Sequence, residues 1–268
     1  VVNWERGTVV HNTVMVNDTR QTKTTTKGEP LHFDDVGRVK VMDARTPQAY
    51  TEVSEYRRTV VMVEASDDIA YSIDFFHVKG GNEHIYNFHA LSQEIAETEN
   101  LDLVSQPMGT YAGPKVPYGP GNIVSGFDGL YDVQRSVYPG KEFAVDFKIN
   151  DFRKTVVKNR DIHLRLTQLN DFELSDVSTA SGAPPVRAEN PEFMKFVLAR
   201  RSGKDLDTLF TTVLEPYDGE RYIAKMEQVT VKRTGGAAVG ASDLAKAVKV
   251  TLKNGRIDYI VYATNKAI

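Results

Sequence analysis

Asp74-Phe75-Phe76-His77-Val78-Lys79-Gly80-Gly81-Asn82-Glu83-His84-Ile85-Tyr86-Asn87-Phe88-His89 holds two apolar, β-rich runs on either side of a Gly-Gly-Asn turn. Gly-Gly accepts the positive φ of tight primed turns, so the spacing predicts a β-hairpin at residues 80–82. Working outward, the same pattern of β-branched residues bounded by turn formers recurs. It marks strands over residues 8–16, 38–42, 57–63, 69–79, 84–90, 143–149, 162–167, 193–200, 209–214, 222–231, 248–252 and 257–262. A second hairpin is expected at Lys253-Asn254-Gly255.

About a dozen strands with almost no helical period predict an all-β protein with helix under roughly 15%. The helical candidates are short, Ser92 to Glu97 and Ser242 to Lys246. Leu103 to Asp128 is crowded with Pro and Gly around Tyr111 and Tyr118, so it reads as a long surface excursion; Ser175 to Glu192 reads as a second loop. No fixed repeat is visible, which disfavours a propeller or solenoid. The remaining architecture is a large antiparallel β-sandwich, supersandwich-like, in which two broad sheets stack face to face. We expect residues 1–268 to form one such unit, with 206–268 a possible small terminal subdomain.

Composition narrows the function. With 33 Lys+Arg against 36 Asp+Glu the net charge is −3, and no dense basic stripe is present, which argues against nucleic acid as a partner. No window approaches 18 apolar residues, and the N-terminus is not a signal sequence. The absence of cysteine removes disulfides, thiolate zinc sites and Cys nucleophiles. Val1-Val2-Asn3-Trp4 lacks an initiator Met and runs straight into a strand-like segment, as a fragment or processed chain would.

Nucleophile elbows, P-loops, Rossmann glycines and H-E-x-x-H are all missing. His11 interrupts an apolar run, Val9-Val10-His11-Asn12-Thr13-Val14. It is either a histidine satisfied by backbone, or a metal ligand or acid/base with Asn12 as a donor to an anion. Parity would turn His11 inward and Asn12 to the opposite face. His84 and His89 likewise have opposite parity, so one face cannot hold His77, His84 and His89 together; they read as packing or surface residues. Phe75, Phe76, Tyr86 and Phe88 read as core.

Several segments in order carry a family resemblance. Tyr56-Arg57-Arg58-Thr59-Val60, then Ile73 through Gly81, then Glu83-His84-Ile85-Tyr86-Asn87-Phe88-His89 resemble the C-terminal β-sandwich region of heparinase II/III-like polysaccharide lyases. There an arginine-led strand, an Asp-containing strand, a Gly-Gly turn and a His-aromatic-Phe-His strand follow one another. Arg6 to Asn17 is similar to the family's His-Asn-Thr strand, and Ala180 to Pro185 and Thr211 to Tyr217 are similar to later sandwich segments. His77 stands where the family pattern has Arg.

The resemblance implies an N-terminal α-helical toroid as partner and as the other wall of a cleft, an acidic polysaccharide as substrate, and a secreted or periplasmic bacterial location without membrane association. It implies a metal, zinc or another divalent ion, held in the intact protein by an upstream His and Asp together with His11, and bound only weakly by this chain alone. Asn12, Arg57 and Arg58 are the expected substrate-binding residues, with Arg153, Lys154 and Lys158 as further cationic contributors; the catalytic residues are not identified. The reaction implied is β-elimination next to a uronic acid. The alternative is a non-catalytic carbohydrate-binding or structural sandwich, with an aromatic sugar platform between Tyr111 and Tyr131. With the toroid absent, the sandwich surface that would meet it is expected to carry uncovered apolar side chains, with Trp4 as its marker.

Overall fold

The computed structural model describes residues 2–21, 27–119, 121, 124–152, 154, 160–233 and 244–264. Strands dominate them. In chain order they are β1 (Thr13–Val16), β2 (Glu29–Asp34), β3 (Val39–Arg45), β4 (Glu55–Glu64), β5 (Ala70–Lys79), β6 (Glu83–His89), β7 (Glu94–Glu99), β8 (Val104–Ser105) and β9 (Leu130–Val137). There follow β10 (Glu142–Lys148), β11 (Ile162–Leu169), β12 (Asp176–Gly182), β13 (Met194–Ser202), β14 (Asp207–Asp218), β15 (Ile223–Val229), β16 (Ala245–Leu252) and β17 (Ile257–Ala263). Every ladder is antiparallel.

The chain divides into two compact units, Val1–Gly219 and Glu220–Ile268. In the first, a six-stranded sheet (β1-β6-β13-β12-β9-β8) and an eight-stranded sheet (β2-β3-β4-β5-β14-β11-β10-β7) form a sandwich. Alternation along each strand sends one set of side chains into the space between the sheets. Val14, Tyr86, Phe88 and Val197 of the smaller sheet pack there against Phe76, Phe147, Leu166 and Phe210 of the larger. Phe88 and Phe147 meet across the gap at 5.9 Å between ring centroids, and Tyr86 and Phe210 at 5.6 Å. Each such buried ring contributes about 2–3 kcal/mol. The second unit is a three-stranded meander, β15-β16-β17, with Val248, Val250 and Leu252 buried. Its last turn is the expected Asn254-Gly255 hairpin, with Gly255 at φ 88°.

The outer face of the six-stranded sheet is also apolar. Met15, Ile85, Phe196 and Leu198 on it are covered by Trp4, Val9 and Val10 from the N-terminal turns and by Tyr111 and Phe127 from the long Pro/Gly-rich excursion. That excursion is irregular as expected, apart from the two residues of β8. Its packing role explains its length: it closes an apolar sheet face that would otherwise meet water. Trp4 is therefore buried, 3% exposed, and its indole N–H donates to the Ala183 carbonyl at 2.9 Å, which corrects the expectation of an uncovered Trp4.

Five local expectations change. The Gly80-Gly81-Asn82 turn is not a hairpin: β5 lies in the larger sheet and β6 in the smaller, so it is a crossover between layers. Both glycines do take positive φ, 105° and 85°, and a Cβ on Gly80 would lie 2.2 Å from the Glu52 carbonyl oxygen. Glu94–Glu99 is a strand rather than part of a helix, because pairing with β10 places Ile95 opposite Phe147, and tertiary packing overrides a weak propensity. Asp176–Gly182, read as loop, is a fully buried central strand. Its small residues carry no hydrophobic signature because there is no room: a Cβ on Gly182 would sit 2.6 Å from the Phe196 ring. Thr8–Val10 is a 3-10 turn rather than strand, and β1 starts only at Thr13. Of the second helical candidate, residues 242–243 lie outside the described residues, and Ala245–Leu252 is strand.

Candidate functional site

Where β4, β5 and β6 pass the N-terminal end of β1, a polar network bridges the two sheets. Arg58 on β4 and Asp74 on β5 point between the layers as diagonal neighbours, since Val60 is the register partner of Asp74. The guanidinium grips the carboxylate with two bonds, Nε to Oδ1 at 2.9 Å and Nη2 to Oδ2 at 2.8 Å. Nη1 donates to the Asn12 carbonyl at 2.8 Å, and the cation sits 5.3 Å from the Phe76 ring centre. Burial alone would lower Arg58, but the Asp74 charge and hydrogen bonds outweigh it and hold the group above its ordinary value. The Tyr86 hydroxyl from β6 donates to Asp74 Oδ2 at 3.0 Å, and burial followed by the Asp74 charge pushes its ionisation up.

Asn12 extends this network. Its amide pairs with the last residue of β6 in both directions, Nδ2 donating to the His89 carbonyl at 3.2 Å and Oδ1 accepting from the His89 N–H at 2.9 Å. The side chain thus continues the ladder one residue beyond β1. His89 Nε2 donates to the Val10 carbonyl at 2.9 Å, and Nδ1 is buried without a hydrogen-bond partner. Burial, assisted by the His11 charge, lowers its pKa and keeps it neutral. Beside it, the Tyr56 hydroxyl donates to the Val14 carbonyl at 2.6 Å and accepts from Gln21 Nε2 at 2.8 Å. Burial pushes Tyr56 up to about 12.

Of the sequence-derived residues, Arg58, Asn12 and His11 converge here and Arg57 does not. Arg57 points to the opposite face of β4, where Nε and Nη2 hold Asp43 at 2.9 and 2.5 Å. His11 caps the 3-10 turn and is exposed rather than inward-facing, because the chain is not yet a strand at that position and parity does not apply. Lys154 is exposed; Arg153 and Lys158 lie outside the described residues. Asp74, Tyr86, Tyr56, Gln21 and His89 complete the network. The signal that could have found Asp74 is the diagonal register between two adjacent strands, which requires pairing information beyond a single strand's pattern.

His77 and His84 serve the crossover between β5 and β6. His84 Nε2 donates to the Gly80 carbonyl at 2.7 Å and Nδ1 lies 2.8 Å from Thr208 Oγ1; burial lowers its pKa to about 4. His77 Nε2 lies 2.7 Å from Asp207 Oδ1. Nor is the Tyr111 region an open platform: Tyr111 is buried, its ring between Arg135 and Arg200 at 5.1 and 5.4 Å, while Tyr118 packs edge-on against Tyr131.

Among the described residues no three His, Asp or Glu side chains are grouped to hold a metal ion. His11 is a single exposed imidazole, and His89 spends Nε2 on a backbone carbonyl, so the donors present do not fit a tight divalent-metal site by themselves. As a chemical device the network is a rigid wall. Its phenols are held protonated, its cation is neutralised by Asp74, and His11 stands at its solvent edge.

This two-sheet sandwich defines the class of the protein as a large antiparallel β-sandwich. No protein-family model and no curated protein matches the sequence. Solved structures do match the fold. The chain is similar to heparan sulfate lyase HepC from Pedobacter heparinus, with a TM-score of 0.59 and 13% identity, over 97% of this chain and 31% of that one. It is also similar to two structures of heparinase III, with TM-scores of 0.60 and 0.56 at 14% and 13% identity, again over 97% of this chain and 31% and 30% of theirs. The fold is that of a β-sandwich region of those enzymes, and the chain spans about a third of their length. Among the described residues no helix is long and apolar enough to cross a membrane.

Proposed function

We propose that this chain is the sandwich part of a polysaccharide lyase that cleaves uronic-acid-containing glycans by β-elimination. The observation that carries this reading is the match of 97% of the chain to about a third of a heparan sulfate lyase and of heparinase III. In such a reaction the proton on C5 is weakly acidic, so the neighbouring carboxylate must be neutralised before a tyrosine or histidine can remove it and the leaving oxygen be protonated. The wall built on Arg58, Asp74 and Tyr86 supplies rigidity rather than a base, because its tyrosines are shifted away from ionisation, while burial makes His89 a weak proton acceptor and its Nε2 is spent on the Val10 carbonyl. The acid and base are therefore proposed to come from the remainder of a larger protein, an α-helical toroid by resemblance. His11 and Asn12 would stand at the edge facing it, and Arg58, its charge balanced by Asp74, would hold the Asn12 backbone in place there.

An exposed apolar surface supports a missing partner. Phe33 and Met42 are register partners on β2 and β3, 71% and 55% exposed, on the same face of the large sheet as Arg58. Unpaired apolar sheet faces of this kind mark docking surfaces. In the larger protein His11 would give one ligand to a divalent metal, zinc by resemblance, with the other ligands outside this chain. A secreted or periplasmic location in a bacterium follows from the same reading.

The test is the absorbance of the unsaturated uronate product after incubation with heparan sulfate, alginate or hyaluronan, using this chain and a longer protein containing it. Product with the longer protein supports the lyase reading. Binding without product from either supports the non-catalytic sugar-binding sandwich instead.

A further inference from the structure

Two connections cross between the sheets side by side. Residues 100–103 carry the chain from β7 to β8, and residues 138–141 carry it from β9 to β10. The Asp102 N–H donates to Ser136 Oγ at 3.0 Å and ties them together. Between them lies an open depression of about 680 Å³ lined by Asn100, Asp102, Val137, Tyr138, Lys141 and Glu142. Tyr138 is 81% exposed, yet its backbone is fixed: its N–H donates to the Ser175 carbonyl at 3.0 Å, and the adjoining Gly140 carbonyl accepts from Leu174 at 3.1 Å. Its φ of 50° is a conformation that a bulky residue rarely takes, and Asn100 across the depression has φ 58°. The side chains of Asn100, Asp102 and Lys141 make no hydrogen bond or ion pair among the described residues.

The geometry points to a sugar-binding subsite here, in which the apolar face of an uncharged pyranose stacks on Tyr138 while Asn100, Asp102 and Lys141 bond its hydroxyls. An aromatic ring carried on a fixed stretch of backbone offers stacking area, and free amide, carboxylate and ammonium groups complement hydroxyls as acceptors and donors. The Asp102 carboxylate and the Lys141 ammonium balance, so the depression offers no excess positive charge to a sulfated or uronate unit and suits an uncharged one. The subsite rests on the proposed function only in expecting a glycan ligand.

The experiment is a titration of the 268-residue chain with N-acetylglucosamine hexamer, cellohexaose and a heparan sulfate hexasaccharide, read by NMR of the tyrosine rings. The Tyr138 signal should shift with at least one uncharged oligosaccharide. Tyr138→Ala should weaken binding about tenfold and Tyr138→Phe should retain it within about threefold, since stacking needs the ring and not the hydroxyl. Tyr138→Ala should leave the thermal midpoint within a few degrees of the wild type, which separates lost binding from lost folding. Silence of the Tyr138 ring with both uncharged oligosaccharides up to about 10 mM overturns the subsite. A shift with the heparan sulfate fragment alone overturns the uncharged assignment. Neither result depends on uronate absorbance, so failure of the lyase reading is seen separately.

Discussion

Two pairs of crossovers sit on one rim of the sandwich and solve the same topological problem with opposite economies. At the first, the β5–β6 and β13–β14 connections are laced together: Gly80 N–H donates to the Leu206 carbonyl, Leu206 N–H to the Gly81 carbonyl and Gly203 N–H to the Asn82 carbonyl, at 2.7 to 2.9 Å. Gly80 and Gly81 carry positive φ without a Cβ penalty, and His77, His84 and Thr208 fill the remaining polar demands. At the second, Tyr138 and Asn100 take positive φ with full side chains, and those side chains point into solvent. The first is laced through its backbone and has its own exposed positive-φ residue in Asp205, at φ 48°; the second puts a bulky aromatic ring in such a conformation. A fold that needs only to turn the chain has no use for a strained, solvent-facing tyrosine, which is why the second pair carries the binding proposal.

The largest effect should come from breaking the first pair. In Gly80→Ala the new Cβ would meet the Glu52 carbonyl oxygen at 2.2 Å in a backbone conformation with φ 105°. Neither the backbone oxygen nor the crossover can yield without losing the lacing bonds. The expected loss is more than about 4 kcal/mol, in the range reserved for exceptional substitutions. Urea unfolding measures it, and a loss below about 1 kcal/mol would show that this crossover is far looser than its hydrogen bonds indicate.

Next in size is a pH effect from the same region. Burial sets the His84 pKa near 4 in the folded chain, against about 6.5 when unfolded. Between these values the unfolded chain binds a proton that the folded one refuses. Stability therefore rises with pH across this window, and is lost as pH falls from about 6.5 to 4, by up to about 3 kcal/mol from this one group. His89 acts in the same direction. Asp18 opposes it: burial and the neighbouring Glu83 raise its pKa to about 6, so its contribution falls as pH rises toward that value. The clean measurement is the difference in unfolding free energy between wild type and His84→Gln at pH 4.5 and 6.5. The wild type should show the steeper dependence, and identical slopes would mean that His84 remains accessible to protons when folded.

This contrast also explains what was legible in the sequence. The strand runs, the glycine-marked turns and the sandwich class follow from local pattern, whereas the contact of Arg58 with the Asn12 carbonyl joins segments 46 residues apart. The layer to which each strand belongs does not: Gly80-Gly81 reads equally as a hairpin or a crossover, because both need positive φ. Asp176–Gly182 is hidden in the sequence because, squeezed between large neighbours, it is mostly small residues, with Val177 its one large apolar side chain, and so shows no apolar alternation. Strand parity turns His11 inward, an orientation that its position at the end of the 3-10 turn does not obey. Tyr138 carried no motif, since its meaning lies in a dihedral angle and in groups contributed by a connection some forty residues earlier.

The smallest effect, opposite in sign, should appear at Tyr138 itself. Glycine adopts φ near 50° freely, whereas tyrosine there pays a conformational cost of about 1 kcal/mol. The ring is 81% exposed and buries too little surface to offset that cost. Glycine also gains entropy in the unfolded chain, which subtracts part of the relief. The net expectation is a stabilisation of about 0.5 kcal/mol for Tyr138→Gly, with Tyr138→Ala near neutral because alanine keeps the strain. Reading the three proteins by urea unfolding gives the order Gly above Tyr and Ala, while sugar binding should rank Tyr above both. If Tyr138→Gly instead costs more than about 1 kcal/mol, the ring is holding the rim together. The second crossover pair would then be a structural joint like the first, and its exposed tyrosine would need no ligand to account for it.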